Sequence, residues 1–227
     1  PSTVRNIESI IFGSGADPKE IYINAVIIDA DAFRGSGFQR VSKIVIGPSC
    51  QIPDAASCGN GLFSMATNVK EIEIATTCLG TYAFSNCYNV SSITIDAPVE
   101  IIPEGCFMNS SNANSTLKID FPSSLRRIEK RAFANGAIAE LIIPENLEYI
   151  GEEAFASVNS GQTKLNKIDF NGNTKITEIK PRTFYGCSGL RSVTLGAEVK
   201  VVGESAFESC QNNLTTLVCN DKLERIE

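Results

Sequence analysis

The stretch Ile150-Gly151-Glu152-Glu153-Ala154-Phe155 decides the fold, because close copies of it recur from one end of the chain to the other. Copies lie at 79–84, 128–133 and 202–207, and each has an aliphatic residue, four mostly polar or small residues, and then Phe. They follow one another about every 25 residues, a spacing that is typical of solenoids. A unit of this size cannot bury its own apolar face, so we expect the copies to stack.

Two columns of apolar residues run through the copies, and we expect both to stack into one continuous core. The aliphatic column consists of Ile28, Ile52, Leu79, Ile102, Ile128, Ile150, Ile179 and Val202. Five residues later comes the aromatic column, which consists of Phe33, Ser57, Phe84, Phe107, Phe133, Phe155, Phe184 and Phe207. Ser57 interrupts it. Because a gap the size of Phe is costly, we expect Phe63 to fold back and fill this space.

A short stretch of alternating inward and outward residues follows each position of the aromatic column. This period of two predicts β-strands with one buried face. The stretches lie at 44–46, 72–74, 93–95, 119–121, 141–143, 168–170, 193–195 and 217–219, and 10–12 fits an incomplete first copy. Stacking brings the strands side by side, so we expect one parallel sheet of nine strands with short turns or 3-10 segments between them.

The repeat leaves no room for a second fold, so we expect residues 1–227 to form one domain of eight to nine coils. Since the sequence starts without Met and stops inside a copy, we also expect it to be excised from a longer chain. The last segment, 222–227, carries Leu223 and Ile226 but no Ala-Phe turn to cover them. We expect this open end to leave core residues uncovered.

Composition disfavours several classes of function. The formal net charge is −6 and no basic stripe is present, which disfavours binding to nucleic acid or to anionic membranes. No apolar run approaches the length of a membrane span, so we expect no membrane insertion. The chain has no His, which removes the commonest general base and metal ligand. We therefore expect no catalytic site, no metal and no cofactor.

The eight cysteines and the paired acids have simple interpretations. No CxxC occurs, and Cys87, Cys187 and Cys210 each follow a Phe by three residues. We interpret these three, with Cys106 and Cys219, as buried thiols in the core, and disulfides are the alternative. The acidic pairs 29/31 and 152/153 lie between the two apolar columns, and we interpret them as solvated turns.

The pattern Ile-Gly-x-x-Ala-Phe-x-x-Cys-x-x-Leu-x-x-Ile-x-Ile resembles the BspA-type leucine-rich repeat, and it is nearly complete at 79–95 and 179–195. Departures are Ser57 and the segment 13–25, which fits no clean copy. The resemblance implies a β-rich leucine-rich-repeat solenoid of the α/β horseshoe class. Its curved parallel sheet would lie on the concave face, and short turns or 3-10 segments on the convex side. Such repeats occur in surface and secreted proteins of bacteria and parasitic protists, and several members are adhesins for host matrix proteins or other cells.

We therefore expect a non-catalytic protein-binding module at the cell surface or in a secreted protein, and a structural spacer that presents another domain is the alternative. The partner would be a protein on a host or neighbouring cell. A saccharide stays open, although the tyrosines at 22, 82, 88, 149 and 185 are predicted to lie off the outward strand positions. The predicted ligand-binding residues lie on the outward, concave face of the sheet: Lys43, Glu71, Glu73, Thr94, Lys118, Asp120, Glu140, Lys167, Asp169 and Thr194.

Overall fold

Most coils contribute two short parallel strands, one to each of two sides of the solenoid. The computed structural model describes residues 6–7, 19–29, 32–33, 40–64, 66–110, 116–158, 164–170, 172–210 and 213–227. The main strands are β2 (Glu20–Ile23), β4 (Lys43–Ile46), β5 (Glu71–Ile74), β6 (Ser92–Ile95), β8 (Lys118–Ile119), β10 (Glu140–Ile142), β12 (Lys167–Asp169), β14 (Ser192–Thr194) and β16 (Thr216–Val218). The second strands are β1 (Asn6–Ile7), β3 (Ile27–Ile28), β7 (Ile101–Ile102), β9 (Arg127–Ile128), β11 (Tyr149–Ile150), β13 (Glu178–Ile179), β15 (Val201–Val202) and β17 (Arg225–Ile226).

The main strands form where alternation predicts them, but they make two sheets rather than one. Five pair in the order β2-β4-β5-β6-β8, and four pair in the order β10-β12-β14-β16. The prediction of one unbroken sheet of nine strands is therefore wrong. The first described main strand is Glu20–Ile23, inside the segment that fitted no clean copy, whereas the predicted strand at 10–12 lies outside the described residues.

The second strands were not predicted. Six of them, β3, β7, β9, β11, β13 and β15, end on a residue of the aliphatic column, and the second strands pair in the orders β1-β3, β7-β9-β11 and β13-β15-β17. An isolated bridge between Gln51 and Cys78 continues this side of the solenoid. A strand of two residues has too little alternation to be recognised by its period, which is why the sequence predicted a turn here.

The aromatic column is a continuous stack of rings. From Phe63 to Phe207 the neighbouring ring centroids lie 4.9 to 5.7 Å apart, and the rings are nearly parallel. Phe63 is buried and stacks between Phe33 at 5.1 Å and Phe84 at 4.9 Å, so the prediction that it fills the gap is confirmed. Ser57 is exposed, and its assignment to the column is wrong. The residues that make this coil longer than its neighbours therefore lie before Phe63 and not after it.

We use the term turn edge for the segments around the stacked rings, at 81–86, 104–109, 130–135, 152–157, 181–186 and 204–209. Left-handed backbone recurs there two residues before and two residues after Phe, as at Arg131 and Asn135 around Phe133. The N–H of Phe133 donates to the carbonyl of Ala154 at 2.9 Å, and equivalent bonds link the other coils. These turns replace helices, since no α-helix occurs in the described part of the chain. The solenoid of parallel strands matches the fold that the resemblance implies, but the α/β horseshoe class is matched only in part.

The C-terminal end of the described solenoid exposes apolar residues. Leu217 and Ile226 are 51% and 65% exposed, although their counterparts in the preceding coils are buried. The cause is that no further coil packs on them among the described residues. Leu223 is half-buried, so the expected uncovered end is observed. Cys219 is exposed for the same reason, and its prediction as a core thiol is wrong.

Candidate functional site: the main-sheet face

We call the outward-facing residues of the main strands, together with Asp120, the main-sheet face. Lys43, Glu71, Ser92 and Lys118 are paired across the five-stranded sheet, as are Glu73 and Thr94. On the four-stranded sheet Glu140 pairs with Lys167, and Asp169 pairs with Thr194. Asp120 directly follows β8 and is exposed. The structure therefore brings the predicted residues onto one side of the strands, in two groups divided between β8 and β10.

Lysines on this face bind neighbouring carboxylates. Lys43 Nζ lies 2.7 Å from Glu73 Oε1 and 3.9 Å from Glu20 Oε1, and Lys167 Nζ lies 3.3 Å from Asp169 Oδ2. The hydrogen bond from Lys43 to Glu73 raises the pKa of this lysine above its usual value. These side chains are half-buried at the surface, where ion pairs usually contribute little to stability, so we expect them to contribute little to folding.

The main-sheet face has an excess of negative charge. Its outward positions carry three lysines and six carboxylates, which are Glu20, Glu71, Glu73, Asp120, Glu140 and Asp169. Glu71, Asp120 and Glu140 make no ion pair within the described ranges. Carboxylates that form no ion pair among the described residues are available to a positively charged partner.

An aromatic residue missed by sequence reasoning lies on the same face. Tyr22 pairs with Val45 in β2 and β4 and is 64% exposed, so the prediction that it lies off the outward positions is wrong. The error follows from the missed strand Glu20–Ile23. A shallow cavity of about 270 Å³ lies at the starts of β2, β4 and β5, and its lining includes Glu20, Lys43 and Glu71.

A larger groove of about 390 Å³ lies at the division between the two main sheets. Its lining includes the carboxylates Asp120 and Glu140 and the apolar residues Ile119, Phe121 and Ile142. Ile142 is 52% exposed. The groove was not predicted, because it exists only where two main strands fail to pair.

The second sheets present a different outward surface, which sequence reasoning also missed. The guanidinium of Arg127 lies 4.1 Å from the ring centroid of Tyr149, and its Nε lies 2.7 Å from Glu129 Oε1. Lys180 Nζ lies 2.5 Å from Glu178 Oε2. Charged groups here are largely neutralised by neighbours in the same chain.

At the turn edge, Glu153 is buried between two arginines. Its Oε2 lies 2.5 Å from Arg131 Nε, and its Oε1 lies 2.9 Å from Arg182 Nε. Burial raises the pKa of Glu153, but the hydrogen bonds and charges of the two arginines outweigh burial and hold this pKa below its usual value. The interpretation of residues 152 and 153 as a solvated turn is therefore wrong for Glu153. Glu152 is half-exposed and lies 2.9 Å from Lys130.

Amide side chains of the turn edge form a ladder from coil to coil. Asn109 Nδ2 donates to Asn86 Oδ1 at 2.8 Å, and Asn135 Nδ2 donates to Asn109 Oδ1 at 2.8 Å. The ladder ends where the N–H of Val158 donates to Asn135 Oδ1 at 2.9 Å. Asn tolerates left-handed backbone better than most residues, which explains why it recurs at this position.

The cysteines are free thiols, and five are buried. The thiols of Cys87, Cys187 and Cys210 donate to the carbonyls of Phe63, Phe155 and Phe184, as expected for core residues. Burial raises the pKa of Cys87 to about 12. Within the described ranges no group of three His, Cys, Asp or Glu side chains is placed to hold a metal ion. None of the described residues belongs to a helix with the length and apolarity of a membrane span.

Comparison with solved structures places this fold among bacterial leucine-rich repeat proteins. A leucine-rich repeat protein from Bacteroides ovatus is 23% identical with a TM-score of 0.62, and the match covers 99% of this chain and 47% of that one. A leucine-rich cell surface protein from Faecalibacterium prausnitzii is 24% identical with a TM-score of 0.41, covering 89% and 57%. The pneumococcal vaccine antigen PcpA is 16% identical with a TM-score of 0.40, covering 97% and 64%. The chain thus spans about half the length of the first of these.

Sequence comparison gives the family directly. No curated protein matches the chain significantly. The family model described as the BspA-type leucine-rich repeat region matches residues 47–162 and 160–227 with six copies. These ranges cover most of the chain and contain the copies that carry the quoted repeat. The chain belongs to the BspA-type leucine-rich repeat family.

Proposed function

We propose that this chain is a non-catalytic protein-binding module of a cell-surface or secreted protein, and that its main-sheet face binds a basic region of the partner. The observation that carries the proposal is the excess of carboxylates on this face, of which Glu71, Asp120 and Glu140 lack an ion pair within the described residues. Complementary charge gives specificity and speeds association. Family membership supports the class of function, since leucine-rich repeats offer extended surfaces to other proteins.

The partner that fits best is a protein of a host matrix or of another cell surface, which would make the module part of an adhesin. The surface location is supported by the family and by the resemblance described above. A saccharide fits less well, because Tyr22 is the one tyrosine on the outward positions of the described main strands. One exposed ring is a small stacking platform.

A structural spacer is the second candidate, and the hydrogen bonding between coils favours it. Neighbouring coils are joined through the main strands, the second strands and the turn edge, where for example Phe107 N–H donates to the carbonyl of Ala132 at 2.9 Å. A solenoid joined along several sides is stiff enough to hold another domain at a distance. A spacer needs no partner on the main-sheet face, so binding separates the two candidates.

The test is capture of proteins from extracts of host matrix and host cell surfaces. The wild-type chain is compared with the variant Glu73→Lys, Asp120→Lys, Asp169→Lys. A control with the same change in charge carries Glu100→Lys, Glu204→Lys and Glu208→Lys, which alter exposed carboxylates away from the main sheets. We expect the wild type and the control to capture the same proteins, in a manner weakened by salt, and the main-sheet variant to lose them. Equal capture by all three chains, or by none, would favour the spacer.

A further inference from the structure

We propose that the groove between β8 and β10 binds an extended, basic segment of the partner protein as an added β-strand; this inference rests on the proposed function and names the chemistry of its ligand. The five-stranded sheet ends at β8, and the four-stranded sheet begins at β10. The groove between these two edges has a volume of about 390 Å³. Each edge strand lacks a sheet partner on the groove side among the described residues.

A shift in register separates the two strands. Leu117 and Ile138 form an isolated parallel bridge, which in continued register would place Lys118 beside Ala139. The repeat instead makes Glu140 the counterpart of Lys118, because both occupy the first outward position of a main strand. Between the bridge and its first outward residue, β10 therefore has one residue more than β8. Such an additional residue is typical of a β-bulge, which disrupts the ladder locally.

A proline removes one hydrogen bond that would join the two strands beyond this point. In β4 and β5 the residue after the strand donates its N–H to the preceding strand, as Gly47 does to the carbonyl of Ile23 at 2.6 Å and Ala75 to that of Ile46 at 2.8 Å. Pro144 occupies the equivalent position after β10 and has no N–H to donate toward β8, whereas the N–H that Pro122 lacks after β8 would have been directed toward β6. The bulge and Pro144 together explain why the main sheet divides here.

Backbone groups of both strands are directed into the groove. Lys118 N–H donates to the carbonyl of Ser91, toward β6, so the backbone of Ile119 is directed to the opposite side. Ile143 N–H donates to the carbonyl of Asp169, toward β12, so the backbone of Ile142 is directed into the groove from its other side. Donors and acceptors on two facing edges are what an inserted extended peptide requires.

The side chains define the ligand further. Ile119 and Phe121 take inward positions but stay half-buried, whereas their counterparts in β5 and β6 are buried. They give the groove an apolar floor, to which the exposed side chain of Ile142 adds. Asp120 and Glu140 at the rim make no ion pair within 116–158 or elsewhere in the described residues. We therefore expect a bound segment in which aliphatic side chains, directed to the floor, alternate with Lys or Arg side chains, directed to the carboxylates.

The test measures binding of short blocked peptides to the whole chain by fluorescence anisotropy. The probes are an eight-residue peptide of alternating Val and Lys, its counterpart of alternating Val and Glu, and the Val-Lys peptide N-methylated at every second residue. We expect the Val-Lys peptide alone to bind, since N-methylation removes the donors of one strand edge. The variant Asp120→Asn, Glu140→Gln is expected to weaken this binding about tenfold or more. The control Glu100→Gln, Glu204→Gln is expected to leave it unchanged.

Hydrogen exchange provides the structural measurement, with bound Val-Lys peptide slowing exchange at the amides of Ile119 and Ile142 and not at those of β14. No binding of the Val-Lys peptide would overturn the proposal, as would equal binding of the N-methylated peptide or equal loss in both variants. The result is separable from the proposed function. Partner capture that depends on the main-sheet triple variant, combined with no peptide binding, removes the groove proposal and leaves the module's function standing.

Discussion

The turn edge and the main-sheet face arise from the same repeat, but they use polar side chains in opposite ways. At the turn edge, Glu153 binds two arginines, and Asn135 both donates to Asn109 and accepts from the N–H of Val158. On the main-sheet face, Asp120 and Glu140 have no ion pair within the described residues. Groups that are satisfied within the chain hold the coils together, and groups that are not are available to a partner.

This difference predicts which substitutions change the stability of the chain and which change its binding to a partner. Buried polar groups cost free energy when one partner is removed, whereas exposed side chains usually contribute little to stability. We therefore expect substitutions at the turn edge to destabilise the chain, and those on the main-sheet face to change binding alone.

The largest effect is expected for Phe63→Ala beneath the turn edge. Phe63 is buried between Phe33 and Phe84, so its truncation leaves a cavity in the ring stack, and we expect a loss of about 3–5 kcal/mol in the free energy of unfolding. Urea denaturation measures this loss. Adding Ser57→Phe is expected not to restore stability, because Ser57 is exposed. Restoration by that second change would show that the aromatic column runs through residue 57.

A smaller loss, of about 2 kcal/mol, is expected for Asn135→Ala. The substitution leaves the N–H of Val158 without its acceptor and places Ala in left-handed backbone, where φ is 57°. Asn135→Gly removes the same hydrogen bonds but tolerates this backbone, so the difference between the two variants isolates the conformational cost. Thermal unfolding of both checks the prediction. Wild-type stability in the Ala variant would mean that the amide ladder contributes nothing.

Glu153→Gln is expected to cost about 1–2 kcal/mol at neutral pH, because it removes the charge between Arg131 and Arg182. The folded pKa of Glu153 lies below that of the unfolded chain, which is about 4.3. Its contribution is thus present above that pH and is lost as the pH falls through the folded pKa. The difference between wild type and variant should therefore shrink on acidification below about pH 4. Glu152→Gln, at a half-exposed ion pair, is the control and is expected to cost less than about 0.5 kcal/mol.

The smallest effect on stability is expected on the main-sheet face itself. Asp120→Asn and Glu140→Gln remove exposed carboxylates without an ion pair in the described residues, so each should change the free energy of unfolding by less than about 0.5 kcal/mol. Urea denaturation at neutral pH measures both. A loss of about 2 kcal/mol or more in either variant would show that these residues stabilise the fold.

Much of this architecture could be predicted from the sequence, because a repeat shows its periodicity many times. Alternation located eight of the nine described main strands, and packing volume alone identified Phe63 as the residue that completes the ring stack. The strand Glu20–Ile23 was missed, since no recognisable Phe turn precedes it in the sequence. With it, the outward position of Tyr22 was missed.

The division of the main sheet was harder to predict, although its signals are present in the sequence. Pro122 and Pro144 each end a predicted strand, and a proline there removes a bond to the preceding strand, which for Pro144 is the strand across the division. Their consequence depends on the register set by Leu117 and Ile138, and pairing across coils is a tertiary property. The burial of Glu153 was likewise unpredictable, because its two arginines lie 22 and 29 residues away in sequence.

Binding of a partner to the main-sheet face is best measured by hydroxyl-radical footprinting of the chain with a captured partner. Exposed apolar side chains serve as reporters: Ile142 and Tyr22 on the main-sheet face, Ile101 on a second sheet, and Tyr88 beside the turn edge. We expect the partner to slow the oxidation of Ile142 and to leave that of Ile101 and Tyr88 unchanged. Slower oxidation of Ile101 or Tyr88, with Ile142 unchanged, would contradict it.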